Sequence, residues 1–202
     1  KAHEALEAAG VAGIRVLDMT TVLLGPYAAQ MLGDQGADVI KIEAPEGDGT
    51  RTTGPAREPG MASAFIGANR NKRSLVLDLK QPAAREAFLH LVDRADVLIC
   101  SIRTAKLAAL GLDPALLRER NPRLVVVTIQ GFGTDGPYAG RPAYDDIVQG
   151  LCGLAALGGG ADGEPRYLPT VIADKTCALF ATQAVLAALV ARATTGAGSH
   201  VD

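Results

Sequence analysis

The stretch GIRVLDMTTVLLGPYAAQMLGDQGADVIKIEAPEGD, from Gly13 to Asp48, decides the fold. Ile14 to Leu17 are apolar and β-branched enough to predict a buried strand. Gly25-Pro26 marks a chain reversal that opens a helix, with Pro26 in its first turn. Gly36 closes that helix, and Asp38 to Ile42 returns as a second strand. Strand, helix and strand at this spacing make a βαβ unit, and such units build parallel sheets.

Outward from this unit the alternation continues. A long polar, Gly- and Pro-rich stretch from Ala44 to about Gly60 reads as a surface loop of functional length. Ser74 to Leu79 reads as a strand. Gln81-Pro82 opens a helix to about Arg94, and Asp96 to Cys100 is a short strand. A helical stretch follows. Asp113-Pro114 then pairs an N-cap with Pro at the first helical position, for a helix to about Arg120. The continuous β-branched run Leu124 to Ile129 fits a central parallel strand. Tyr144 to about Ala156 reads as helical, Gly158 to Pro165 as a turn, and Asp174 opens the longest helix. A strand starts at the end of the chain. Residues 1–12 are set apart as an extension or short helix, and 13–202 as one large domain. The expected fold is α/β: a Rossmann-like, doubly wound, mostly parallel sheet with helices on both faces.

The bulk chemistry narrows the function classes. Of 202 residues, 48% are hydrophobic and 21% charged, which describes a folded chain with ample core. A net charge of −2 gives no reason to expect nucleic-acid binding. Cys100, Cys152 and Cys177 are far apart and share no metal-like spacing with histidine, so no metal is expected. Their odd number, without a signal sequence, favours the cytoplasm. The most apolar segment, Cys177 to Val190, contains Thr182 and Gln183 and is read as too short for a membrane span. The start at Lys1 and the stop at Val201-Asp202 lead to the expectation that the sequence is a piece of a longer protein.

Several motifs carry both a bland and a chemical reading. Gly158 to Gly163 formally matches G-x-G-x-x-G, but Glu164-Pro165 follows it instead of a helix, so it reads as a turn. The first βα turn, Thr20 to Pro26, has the location of a ligand site beyond a strand's carboxyl end, yet TTVLLGP is no phosphate-binding glycine loop. The basic run Asn69 to Ser74 is either a solvated edge or a clamp for a phosphorylated ligand served by Lys72, Arg73 and Lys80. Asp174 is either a plain helix cap or an ionised carboxylate nucleophile held on a rigid element. No histidine forms a triad with a Ser or Cys.

Taken together, five blocks resemble the family III CoA-transferases in order and spacing. They are the opening block; NRNKRSLVLDLK, Asn69 to Lys80; ADVLI, Ala95 to Ile99, with Arg103 and then LGL; NPRLVVVTIQGFGTDGPYAGRPAYDDIVQG, Asn121 to Gly150; and Asp174 with its Ala- and Leu-rich helix and TTGAGSHVD. The match covers almost everything from Gly13 to Asp202 and corresponds to roughly the N-terminal half of a member. The resemblance implies a large domain that binds coenzyme A, as substrate and not as a permanently held cofactor, and homodimers in which two ring-shaped chains interlock. By position it assigns Asp174 as the nucleophile. It assigns Leu77, Asp78, Leu79 and Lys80, Ser101, Ile102 and Arg103, and Tyr144 and Asp145 to CoA contacts, and Leu23 and Leu24 to the turn that meets the thioester.

The implied reaction transfers CoA from an acyl-CoA to a small carboxylic acid. Asp174 attacks the thioester to form an anhydride, the released thiolate forms an enzyme–CoA thioester, and the acceptor acid removes the CoA. The isolated fragment is expected not to turn over. Racemases of the same family exchange an α-proton with an Asp and a His, and the His is expected where this chain has Tyr144, so transferase is the preferred reading. Formyl-CoA transferases carry Gln at the position of Leu23, so formate and oxalate are not the expected substrates. The remaining alternatives are a non-catalytic CoA-binding domain and a nicotinamide-dependent dehydrogenase, the second lacking its glycine fingerprint in the first βα turn.

Overall fold

Why the first unit closes as it does is visible in the computed structural model, which describes residues 10–160 and 162–202. The β-branched run becomes β1 (Arg15–Met19), the helix after Gly25-Pro26 is α1 (Leu24–Asp34), and the return strand is β2 (Asp38–Glu43). Gly25 is obligatory, because a Cβ there would lie 2.4 Å from the Thr20 side chain. Gly36 takes φ +97° just past the end of α1, the left-handed stop that glycine supplies.

A single 3-10 turn (Gly49–Thr52) and α2 (Ser63–Asn69) then lead to β3 (Lys72–Val76). Neither the turn nor α2 is marked by the hydrophobic pattern, and β3 starts and ends earlier than the Ser74–Leu79 expectation. The remaining elements are α3 (Pro82–Val92), β4 (Val97–Cys100), α4 (Thr104–Ala109), α5 (Pro114–Arg120), β5 (Val125–Thr128), α6 (Asp145–Leu151), α7 (Leu154–Leu157), α8 (Ile172–Thr195) and β6 (His200–Val201). The expected helix from Tyr144 to Ala156 is broken at Gly153, whose φ of +83° separates α6 from α7. At the glycine cluster, Gly163 N–H donates to the Gly160 carbonyl at 3.0 Å, which makes it a turn. Val11 belongs to the domain: its N–H donates to the Gln35 carbonyl, and its side chain packs on the core. The helix anticipated within residues 2–9 lies outside the described residues.

All six strands are parallel, in the order β3-β2-β1-β4-β5-β6. This is the doubly wound order, with its topological switch between β1 and β4. Alternate residues feed two cores. Leu17, Met19, Leu98, Cys100 and Val126 face α3, α4 and α5 through Phe88, Val92, Leu107 and Leu117. Val16, Val97, Ile99, Val125 and Val127 face α1 and α8 through Ala29, Leu32, Val185 and Ala188. The side-chain period of two therefore builds both layers from the same strands.

The helix α8 sets the geometry of the site. At 24 residues, with an 18-residue window of mean hydropathy 1.6, it is long and apolar enough to cross a membrane by length and composition, which corrects the expectation drawn from Cys177–Val190 alone. Here it lies against α1 and β5. Thr182, whose hydroxyl donates to the Ala178 carbonyl one turn back, lies 3.4 Å from the Ala28 carbonyl of α1. Near the other end, the buried Arg192 pairs with Asp96 and donates to the carbonyls of Asp96 and Arg123. Those carbonyls lie at the amino edge of the sheet. At 1.5 Å per residue, the 18 residues back to Asp174 span about 27 Å, longer than a strand of four or five residues. The amino end of α8 therefore overhangs the carboxyl edge of the sheet.

Candidate active site at the carboxyl edge of the sheet

The switch point is where the βα turn Thr20–Leu23 leaves β1 beside the segment that leaves β4. Side chains hold this turn at every step. Asp18 Oδ1 accepts the Thr20 N–H at 3.0 Å, and Ser101 Oγ accepts the Thr21 N–H at 3.1 Å. Asp48 Oδ1 accepts the Val22 N–H at 3.3 Å, and Lys41 Nζ donates to the Thr20 carbonyl at 2.9 Å. Val22 takes φ +70°, a conformation that a β-branched residue enters only when its surroundings impose it.

Beneath the turn lies a buried set of charges. Lys72 Nζ meets Asp18 Oδ2 at 2.8 Å, and Lys41 Nζ meets Asp48 Oδ2 at 3.1 Å, with all four side chains 2% exposed or less. Glu43 extends the set: it accepts the Asp48 N–H and a two-pronged contact from Arg51. The Arg51 guanidinium also lies 3.8 Å from the centre of the Phe65 ring, which ties α2 to the loop after β2. Burial pushes the Asp48 carboxyl up, but the hydrogen bonds from Thr50 and the charge of Lys41 outweigh it and hold it below the usual range. Burial pushes the Lys72 ammonium down to about 8, against the opposing pull of Asp18.

Asp174 stands in the first turn of α8 and not at its cap, because the helix starts at Ile172 and Val171 is the capping position. Its carboxylate accepts no hydrogen bond from the described residues. Its backbone N–H is the bonded group, donating to Asp145 Oδ1 at 3.0 Å. Burial, and then the charge of Asp145, push the Asp174 carboxyl above its ordinary value. This reverses the expectation that capping would favour the ionised form. Asp145 is itself buried at the start of α6, and its other oxygen accepts from Gln149 Nε2. Gln149 in turn accepts the Leu168 N–H and donates to the Thr170 carbonyl. A half-buried carboxylate with free oxygens, on a backbone held in place, has the chemistry for nucleophilic attack on an activated carbonyl.

The description of CoA-transferase family III matches residues 11–202. The chain belongs to CoA-transferase family III. It is 43% identical over 199 residues to the succinate–glutarate CoA-transferase of Agrobacterium fabrum, covering 95% of this chain and 50% of that protein. It is 40% identical to the succinyl-CoA:mesaconate CoA-transferase of Haloarcula hispanica, covering 94% and 50%. A CaiB/BaiF family protein from Brucella suis superposes with a TM-score of 0.92 at 41% identity, covering 96% of this chain and 52% of that one. The chain thus spans about half the length of the curated relatives it matches.

Within this family III domain the expected site residues fall into distinct groups. Leu23 and Leu24 follow the strained turn, and Ser101, Ile102 and Arg103 follow β4 directly beside it. Ser101 is the one that bridges the two segments. Leu77 and Leu79 follow β3 and pack on the first core, while Asp78 accepts the Lys80 N–H at the surface. Tyr144 is 66% exposed beside buried Asp145.

Two members of the basic run pair within the protein. Lys72 donates to Asp18, the Pro26 carbonyl and Asn69, so its three protons are all engaged inside the protein and none faces a ligand. Arg73 grips Asp38 at the sheet edge through Nε and one terminal nitrogen. Of the proposed clamp, Arg73 and Lys80 stay exposed. The buried Asp18, Lys41, Glu43 and Asp48 escaped sequence reading. The signal was the alternation Ile40-Lys41-Ile42-Glu43 in a strand that should be uniformly apolar if central. Among the described residues no cluster of three metal-ligating side chains occurs.

Proposed function

We propose that the full-length protein moves coenzyme A from an acyl-CoA to a short carboxylic acid, with Asp174 as the covalent relay. The observation that carries this reading is the position of Asp174, overhanging the carboxyl edge with its backbone held by Asp145 and its oxygens free. In the first step an Asp174 oxygen attacks the thioester carbon, the C–S bond breaks, and the thiolate leaves with the electron pair. The thiolate then attacks Cγ of Asp174 and expels the acyl carboxylate, leaving an enzyme–CoA thioester. The acceptor carboxylate attacks that thioester and, through a second anhydride, leaves as the new acyl-CoA. One difficult exchange is divided into easier covalent steps.

The relatives' names pair succinate with glutarate and succinyl-CoA with mesaconate, which supports a short dicarboxylate as donor or acceptor here. Leu23, Leu24, Leu77 to Lys80, Ser101 to Arg103, Tyr144 and Asp145 are proposed to line the CoA path. Two interlocked chains are part of the same proposal, supported by an outward face of α8 that leaves Leu179, Phe180 and Val190 exposed. A cytoplasmic setting is supported by three cysteines with no disulfide among them. Racemase chemistry is less well supported: Tyr144 offers a phenol where an imidazole is needed, while His90 lies beside Asp93 and His200 contacts Thr128.

The test is incubation of the full-length protein with succinyl-CoA and other acyl-CoAs, trapping with hydroxylamine or borohydride, and peptide mass spectrometry. Modification of the Asp174 peptide is the expected result. An unmodified Asp174 across the panel, with deuterium uptake at the α-carbon of a branched acyl-CoA, replaces this reading with racemisation.

A further inference from the structure

We propose that Asp145 is the positioning residue of the nucleophile: it fixes the backbone at Asp174 and places a second carboxylate beside the one that reacts. This rests on the covalent reading above.

Three observations carry it. The first is a missing cap. Val171 has no side-chain acceptor for the first N–H groups of α8, and the role passes to Asp145, which reaches over from a different helix. The second is that Asp145 cannot swing away. It is 8% exposed, one oxygen is bound by the Asp174 N–H and the other by Gln149, and Gln149 is anchored to Leu168 and Thr170. A surface cap has no need of such support, whereas a residue that must orient a reacting group does. The third is electrostatic. Apart from burial, Asp145 is the group that disfavours charge on Asp174.

The elements packed against α8 offer little to offset it. On α6, Asp146 is exposed and Cys152 lies at the helix end, and β5 carries no charge. The first turn of α1 has Tyr27 as its one titratable group. On α8 itself, Lys175 Nζ donates to Thr170 Oγ1. Cys177 is a thiol pushed up by burial and then by both aspartates.

The chemical consequence is specific. Free Asp174 carries a charge that repels Asp145. In the anhydride, and again in the enzyme–CoA thioester, that charge is gone: it has departed first on the thiolate and then on the released carboxylate. The neighbouring Asp145 carboxylate therefore favours both covalent states over the resting Asp174 carboxylate. It also makes Asp174 a more basic nucleophile.

Asp145→Asn removes the charge while an amide oxygen still accepts the Asp174 N–H; its NH2 then faces Gln149 Nε2, so Gln149→Leu, which loses the Gln149 contacts and keeps the Asp145 carboxylate, is the control for geometry. In the full-length protein, kcat/KM is followed against pH, and the fraction of protein carrying CoA after succinyl-CoA without acceptor is read by intact mass. The expected result is an acid limb displaced to lower pH by about half a unit or more. The covalent fraction falls several-fold. An unmoved acid limb with an unchanged covalent fraction overturns the proposal and leaves Asp145 a structural cap. If Asp145→Asn does not fold, the unmodified protein decides: an acid limb at or below the ordinary aspartate value, about 4, overturns it equally. Absence of any CoA adduct at Asp174 in the unmodified protein is a different failure, since it removes the covalent reading itself and this inference with it.

Discussion

The carboxylate of Asp145 accepts the backbone N–H of Asp174 at 3.0 Å, so the first turn of α6 caps the first turn of α8. Two acids are thereby held side by side, one bonded through its side chain and the other through its backbone. Sites that work near neutral pH often place like charges together in this way, at some cost to the resting fold.

That cost predicts a separation of stability from activity at Asp174. Its carboxyl is raised in the folded protein, first by burial and then by Asp145. Between the ordinary and the raised value the folded state holds more proton than the unfolded chain. Stability therefore falls as pH rises through that window, and the loss persists above it. Asp174→Asn removes the penalty. Thermal unfolding of the variant is expected at a temperature equal to or above that of the unmodified protein at pH 7, with the difference vanishing below about pH 4. Turnover is expected to drop by about a thousandfold or more, as for loss of a nucleophile. A variant that is clearly less stable at pH 7 contradicts this account.

Lys72 is predicted to matter for folding and not for CoA affinity. Lys72→Ala leaves Asp18 buried and unpaired under the first βα turn, a defect of about 3–5 kcal/mol. Urea unfolding should show a loss of that size. A variant of normal stability with a raised KM for acyl-CoA would restore Lys72 to the role of phosphate clamp.

The backbone at Val22 is predicted to be strained. The residue sits at φ +70° and is 44% exposed, so little burial is lost on replacement. Val22→Asn, which enters the left-handed region more readily, is expected to stabilise by about 1 kcal/mol, seen as a higher urea midpoint. If kcat falls while stability rises, the strain serves the presentation of Leu23 and Leu24.

Gly25→Ala probes the same turn from the other side. The added methyl meets Thr20 at 2.4 Å, where Oγ1 is hydrogen-bonded to Asp18 and cannot rotate freely. A loss of about 1–3 kcal/mol is expected in thermal unfolding, and Thr20→Ser in the same chain should recover part of it. An unchanged midpoint for the single variant would show that the turn gives way easily.

The sheet was legible because its signals are local. Ile14 to Leu17, Asp38 to Ile42 and Leu124 to Ile129 announce strands by composition, and Asp113-Pro114 and Gly36 punctuate helices by their own backbone preferences. Asp113 does accept the Ala115 N–H at 2.8 Å, as its position before Pro114 implies. What escaped are relations between distant residues. Asp18, Lys41, Asp48 and Lys72 are polar in sequence and fully buried in the fold, because each supplies the partner another lacks. Lys72 therefore read as part of a surface basic run. Asp174 read as a cap because an aspartate at a helix start usually is one. The true cap lies 29 residues away, and nothing local to Val171 points to Asp145. The break at Gly153 was visible only as a glycine within an otherwise helical pattern, a feature many helices tolerate.

The overhang of α8 turns a packing helix into a lever. Its firm anchorage, at Arg192, is about 27 Å from Asp174 along the axis. A tilt of only about two degrees about that point would move the nucleophile by about 1 Å, a displacement able to cost an enzyme about a hundredfold in rate. A long arm bearing a reactive tip demands a brace near the tip. In this molecule the brace is a buried carboxylate on a neighbouring helix, held rigid by a single glutamine.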